Sequence, residues 1–283
     1  MDEFDMTQAT SPEVGQSIQA GAVRTNYHDR GDGPPVVLIH GSGPGVSAWA
    51  NWRFNLGPLA EQFRVLAPDM VGFGFTDRPA EVTYGKATWT AHLEAFLDAL
   101  ELDAVHLVGN SFGGAIALAF ALERPQRVRR LVLMGSVGLS FPITPGLEAV
   151  WGYEPSIAAM RELLDLFAYD RSLVTDELAE LRYQASVRPG FQASFASMFP
   201  APRQRGVDDL ASPEDAIAKL PHETLILHGR EDRVIPPAVG QRLFELIPNS
   251  QLHLFGHCGH WTQIEHAARF NRMVSTFLAE DEA

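Results

Sequence analysis

Short, nearly unbroken apolar runs recur along this chain at residues 36–40, 64–68, 105–109, 130–134, 224–228 and 251–255, with helix-like patterns between them. Runs of that length, rich in Val, Leu and Ile, read as strands buried on both faces. Strands alternating with helices predict a parallel sheet covered on both sides, an α/β architecture. The alternation stops near Phe141 and resumes near Pro221. Between them, residues 157–168, 175–187 and 190–198 read as short helices, in a stretch carrying many aromatics plus Pro155, Pro189, Pro200 and Pro202. A helical block interrupting a strand–helix series predicts a cap over the mouth of a site. The expected organisation is a core built from residues 1–141 and 214–283, with a cap of residues 142–213. No internal repeat or low-complexity tract appears, and the first dozen residues are expected to be loosely ordered.

The run 105–109 leads into Gly109-Asn110-Ser111-Phe112-Gly113, and small residues follow from Gly114 to Phe120. A G-x-S-x-G element between a strand and a helix predicts a sharp turn that lifts the serine hydroxyl above the sheet edge. A serine held that way is a candidate nucleophile, here Ser111. It needs a base, and the base needs an orienting acid, in the chain order serine, acid, histidine. The strand-like run 224–228 is followed by Gly229-Arg230-Glu231-Asp232-Arg233, which puts Asp232 at a strand exit. After run 251–255 comes Gly256-His257-Cys258-Gly259-His260-Trp261, with His260 in a glycine-flanked loop that opens a helix. Open parallel sheets place their sites at the edge where both loops emerge.

Glu231 competes with Asp232, but adjacent side chains in a strand-exit loop point apart, and Asp232 is the expected orienter. His257 competes with His260, whose aromatic successor suits a base packed over a pocket. His253, His257, Cys258 and His260 also permit a metal-cluster reading, which lacks matching ligand spacing elsewhere in the chain, so no metal is expected. An oxyanion needs preorganised N–H donors. One is expected from Phe112, the residue after the nucleophile. The other is expected from Ser42, in the loop His40-Gly41-Ser42-Gly43-Pro44-Gly45 that follows an earlier strand. That glycine-rich loop has neither a P-loop lysine nor a G-x-G-x-x-G opening a helix, which argues against a nucleotide site.

At 283 residues, 46% of them hydrophobic and 20% charged, the chain is long enough for one large core with an insertion. Its one cysteine, Cys258, excludes an internal disulfide and suits a reducing cytoplasm. The acidic start Met1-Asp2-Glu3-Phe4-Asp5 does not read as a signal peptide, and no run reaches transmembrane length without charges. A formal net charge of −13 argues against nucleic acid or an anionic membrane as partner. It also means that any anionic substrate must be held by local cations.

Beyond these motifs, the sequence resembles the meta-cleavage product hydrolases, carbon–carbon bond hydrolases of bacterial aromatic degradation within the α/β-hydrolase superfamily. The most telling segments are His40 to Val46, Ala50-Asn51-Trp52-Arg53, Gly109 to Gly114, Val150-Trp151-Gly152-Tyr153 and Ala168 to Leu178. The resemblance runs from Thr25 to Glu265 and is strongest toward members acting on 2-hydroxymuconate semialdehyde and its alkyl-ketone counterparts. It implies the α/β-hydrolase fold: a mostly parallel eight-stranded sheet, helices on both faces, and a helical cap inserted after the sixth strand. It implies a small-molecule dienoate substrate, no cofactor, and a homo-oligomer.

By the same resemblance, Gly43, Asn51, Asn110, Arg182 and Trp261 hold the dienoate end of the substrate. Val137, Leu147, Trp151, Val207 and Ile235 surround the substituent on the carbonyl carbon. Taken singly, each also has an ordinary reading: a turn asparagine, a helix cap, a surface arginine, core apolar residues. For Arg182 the anionic substrate tips the balance, because a carboxylate beside an enolate oxygen calls for a permanently charged fork of donors. Arg53 is the competing cation, ranked second as an anchor behind the oxyanion loop. Gly206 departs from the family pattern, standing where other members carry tryptophan after Arg-Gln-Arg, which bears on the shape of the cap. Ser111 is expected to act as nucleophile or as the hydroxyl that activates attack.

Overall fold

In the computed structural model, which describes residues 11–280, the apolar runs become the centre of one eight-stranded sheet. The strands are β1 (Gln16–Ala20), β2 (Val23–Arg30), β3 (Pro35–Ile39), β4 (Arg64–Pro68), β5 (Val105–Asn110), β6 (Val128–Met134), β7 (Thr224–Gly229) and β8 (Ser250–Phe255). They lie in the order β1-β2-β4-β3-β5-β6-β7-β8. β1 pairs antiparallel with β2, and β2 with β4; every later pairing is parallel. The first ten residues, to which most of the expectation of loose order applied, lie outside the described residues.

The helices are α1 (Ala48–Trp52), α2 (Leu56–Ala60), α3 (Lys86–Ala99), α4 (Phe112–Glu123), α5 (Pro145–Trp151), α6 (Ile157–Phe167), α7 (Asp176–Ser186), α8 (Phe191–Met198), α9 (Gln204–Leu210), α10 (Glu214–Ile217), α11 (Pro237–Leu246), α12 (Thr262–Glu265) and α13 (Ala267–Ala279). Helices α5 to α10 fall between β6 and β7. Side chains alternate across a strand, so each central strand feeds two cores. Val37, Ile39, Leu107, Leu131 and Leu133 join a cluster with α3, α4 and α11, while Val36, Leu38, Val108, Val132 and Met134 join one with α1, α2 and α13.

The inserted helices α5, α6 and α7 start at hydroxyl residues visible in the sequence. Thr144, Ser156 and Thr175 cap α5, α6 and α7, each side-chain oxygen accepting an N–H three residues on. The helices read at 157–168, 175–187 and 190–198 are present with ends one residue shorter. Near Gly206, Trp151 and Phe199 stack at 4.3 Å with planes 1° apart. A Cβ at Gly206 would sit 3.0 Å from Trp151 Cζ3, so this stack fills the space that a larger residue there would need.

Candidate active site

The turn between β5 and α4 holds Ser111 at φ 54° and ψ −114°, a left-handed conformation that is rare and strained for a residue with a side chain. The turn closes only because its neighbours are glycine: a Cβ on Gly109 would lie 2.4 Å from Gly113 O, and one on Gly113 would lie 2.2 Å from Ile39 O. Ser111 N–H donates to Met134 O at 2.9 Å, and Ser111 O accepts Val137 N–H at 3.1 Å, which fixes the serine against β6.

Asp232 and His260 meet from two neighbouring strand exits. His260 Nδ1 lies 2.7 Å from Asp232 Oδ2, with both side chains buried. Oδ1 of the same carboxylate accepts the N–H groups of Val234 at 2.8 Å and Ile235 at 3.0 Å. Burial by itself would raise the Asp232 pKa, but His260 and His228 more than offset it and hold the carboxyl well below its usual range. The rivals point elsewhere. Glu231 accepts Cys258 N–H at 3.0 Å and pairs with Arg230, while His257 is exposed and stacks on Tyr169. His260 is fixed by its N–H to Phe167 O at 2.7 Å and by ring stacking on Phe167. Among the described residues no group of three or more His, Cys, Asp or Glu is placed to hold a metal ion. Burial pushes the Cys258 thiol up to about 12.

Ser111 and His260 line one cavity. Ser42, Gly43, Asn51, Asn110, Arg182, Trp261 and Leu147 also line it. Several of these residues carry donors. Asn51 Oδ1 accepts Gly41 N–H at 3.2 Å, leaving its buried Nδ2 without a partner. Arg182 reaches Gly45 O at 2.7 Å, and Arg53 reaches Ala50 O at 2.6 Å. Neither guanidinium forms an ion pair with a described carboxylate. Burial lowers the Arg182 pKa, Glu13 works against that, and the charges of Arg53 and Arg188 add to it. Arg53, expected to anchor structure behind the loop, therefore lines the cavity as well.

The apolar lining differs from expectation. Val137, Trp151, Val207 and Ile235 are all buried, yet none lines the cavity. They pack in the main core cluster behind the wall, and Trp151 turns its indole N–H to Ser42 Oγ at 2.9 Å. The wall is made instead by Val150, Met160, Leu164, Phe167, Leu178, Val234 and Ile264 alongside Leu147. Met160, Leu164 and Phe167 recur at the spacing of one face of α6, the same signal an ordinary core-facing helix gives.

A strained serine at a strand–helix turn, a histidine–aspartate pair and this strand order define an α/β-hydrolase with a serine-type site. A family model for the α/β hydrolase fold matches residues 34–267. The 2-hydroxymuconate semialdehyde hydrolase of Pseudomonas sp. strain CF600 is 64% identical over 273 residues, 96% of each chain. The 2-hydroxy-6-oxo-2,4-heptadienoate hydrolase of Pseudomonas putida is 64% identical over 270 residues, 95% of this chain and 98% of the other. A serine-to-alanine mutant of the meta-cleavage product hydrolase from Pseudomonas fluorescens IP01, complexed with acetates, superposes with a TM-score of 0.94 at 61% identity, covering 95% of this chain and 98% of that one. The chain belongs to the meta-cleavage product hydrolases of the α/β-hydrolase superfamily and is a serine-dependent carbon–carbon bond hydrolase. Among the described residues no helix is long and apolar enough to cross a membrane.

Proposed function

We propose that this enzyme hydrolyses 2-hydroxymuconate semialdehyde, or short 6-alkyl 2-hydroxy-6-oxohexa-2,4-dienoates, to 2-hydroxypenta-2,4-dienoate and a carboxylic acid, formate for the semialdehyde. The observation that carries this reading is the polarity of the cavity. Ser111 and His260 share it with two guanidiniums, an unpartnered amide and a set of apolar side chains. A dienoate carries a carboxylate and an enol oxygen at one end and a carbonyl at the other, and this lining supplies both donors and apolar contact for it.

In this scheme Asn51, Asn110, Arg53, Arg182 and Trp261 take the dienoate end, with Gly43 beside them. A carbanion leaves poorly, so the dienol first becomes a keto form that can accept electrons when the bond breaks. His260, oriented by Asp232, takes the Ser111 proton as the hydroxyl attacks the carbonyl carbon. The oxyanion is met by the N–H groups of Ser42 and Phe112. Phe112 is the first residue of α4, so its N–H has no acceptor within the helix. Cleavage of the carbon–carbon bond moves its electron pair into the dienoate fragment, which takes up a proton, and water releases the acid from Ser111. Residues 142–213 serve as the cap and residues 1–141 and 214–283 as the core. The buried single cysteine suits a cytoplasmic enzyme, and the family resemblance supports a homo-oligomer, which sedimentation would test.

The test is turnover of the yellow ring-cleavage products of catechol, 3-methylcatechol and 3-phenylcatechol, followed by loss of visible absorbance. Efficient turnover of the first two is expected. Rapid hydrolysis of simple esters with no turnover of the dienoates would overturn the proposal in favour of a general esterase.

A further inference from the structure

We propose that His228 is a positioning residue for Asp232, holding the carboxylate oxygen that serves His260. The proposal rests on the assignment of Asp232 and His260 above. His228 lies in β7 one residue before its end and is fully buried. Its Nε2 lies 3.0 Å from Ile235 O and 3.3 Å from Asp232 Oδ2. Both neighbours only accept, so Nε2 carries the proton, donating to Ile235 O with Asp232 Oδ2 close by the same nitrogen. Nδ1 is buried without a partner, facing Gly240, where an added Cβ would sit 2.7 Å away. The N–H that this geometry places on Nε2 is therefore committed to the site.

The consequence lies in the full set of donors to Asp232. Oδ1 accepts Val234 and Ile235 N–H, and Oδ2 faces His260 Nδ1 at 2.7 Å and His228 Nε2 at 3.3 Å. Four nitrogens thus surround the carboxylate, so it cannot rotate without losing one of them. Of these donors only His228 shares Oδ2 with the base. It fixes that oxygen in place and takes part of its negative charge away from the imidazole. The other charged groups nearby are occupied: Glu231 bonds Cys258 N–H and Arg230, and Arg233 reaches Ala168 O. An apolar side chain would fill the same volume without leaving a bare nitrogen in the interior, so packing alone does not account for a histidine here.

The experiment compares His228→Leu, which removes the donor, with His228→Gln, which keeps an N–H. For His228→Leu we expect kcat per folded protein to fall at least about tenfold with KM nearly unchanged, the pattern of a lost transition-state effect. The acid limb of its pH profile should move to higher pH, because more carboxylate charge then faces His260. His228→Gln should recover most of kcat. Wild-type kcat and an unmoved acid limb in folded His228→Leu would overturn the proposal, even if that variant melts earlier. Should His228→Leu fail to fold, ring-nitrogen NMR of 15N-histidine-labelled wild type decides: an Nε2–H tautomer at His228 supports the proposal and an Nδ1–H tautomer refutes it. Asp232→Asn separates the two readings, since an active Asp232→Asn enzyme sinks the triad assignment itself.

Discussion

The indole N–H of Trp151 donates to Ser42 Oγ at 2.9 Å, tying the last residue of α5 to the loop expected to supply an oxyanion donor. The same ring is stacked face to face on Phe199. Trp151 therefore connects the inserted helices to the reacting centre from behind the cavity wall.

Trp151→Phe keeps an aromatic ring for the stack and deletes the N–H. We expect kcat to fall about three- to tenfold with little change in KM, the loss of one neutral hydrogen bond of about 0.5–1.5 kcal/mol acting on the position of Ser42. Steady-state kinetics on the preferred dienoate checks this. An unchanged kcat would mean that the Ser42 backbone is held without the indole.

Ser111→Ala should remove hydrolysis by at least about a thousandfold while leaving substrate binding intact, since only a hydroxyl is deleted. Binding is read from the spectral change of the bound dienoate. Conversion of dienol to keto form without cleavage would be consistent with two separable steps. Cleavage near the wild-type rate would remove Ser111 from the mechanism.

What was legible in the sequence, and what was not, divides along physical lines. Ser111, Asp232 and His260 stand at strand exits marked by glycines, where backbone geometry constrains residue type. The wall of the cavity has no such mark. Met160, Leu164 and Phe167 face empty space, whereas Val137, Val207 and Ile235 face other side chains, yet all are buried apolar residues. Periodicity reports that a face is buried and is silent on whether a void lies against it. β1 was illegible for the opposite reason: Gln16–Ala20 is polar and largely exposed, and its pairing with β2 rests on backbone hydrogen bonds at the sheet edge. Arg53 was underrated because only the fold brings it to the same cavity as Arg182.

Arg182→Leu and Arg53→Leu should each weaken binding of the dienoate and slow ketonisation, while affecting hydrolysis of a neutral ester much less. The reason is a dianionic substrate entering a protein of net charge −13. Losses of about tenfold or more in kcat/KM on the dienoate are expected for each, as for charge-assisted hydrogen bonds of about 1.5–3 kcal/mol. Equal losses on the ester would assign the residue a structural role.

Stability should fall on acidification below about pH 6.5, the unfolded histidine pKa. His40 donates from Nδ1 to Gly41 O and accepts Met70 N–H, and His92 accepts Val71 N–H, so both are built in as neutral rings. Burial pushes each down to about 4. Between these pH values the unfolded chain binds more protons, so stability rises with pH and is lost progressively toward pH 4. Asp69 acts in the opposite sense: burial pushes it up to about 7, and it favours the fold at lower pH. Burial likewise pushes His106 down to about 4, and three histidines against one carboxylate leave stability rising with pH near pH 5. Thermal melts at pH 6.5 and pH 5 should show the lower Tm at pH 5, and equal Tm values would contradict the neutral, buried state of these rings.

The last prediction concerns the size of the carbonyl substituent. By family resemblance Val137 was expected to set it, but Val137 is wholly buried behind Ser111, and its N–H is bonded to Ser111 O. The apolar side chains that meet the cavity include Leu147 and Val150 on α5, and Met160, Leu164 and Phe167 on α6. Hydrogen or short alkyl substituents should be preferred there, with phenyl poor, since forcing an extra ring into a filled site typically costs about 1–3 kcal/mol. Leu164→Ala and Met160→Ala remove volume where a phenyl group would lie, and each should raise the phenyl-to-methyl ratio of kcat/KM by about tenfold or more. Val137→Ala opens space only behind the nucleophile and should change that ratio much less. Specificity constants for the hydrogen, methyl and phenyl substrates in wild type and the three variants decide the matter. A wild type that prefers phenyl defeats the substrate assignment. A large gain from Val137→Ala with none from the α6 variants would mean that the substituent points past Ser111 into the core, away from the wall seen here.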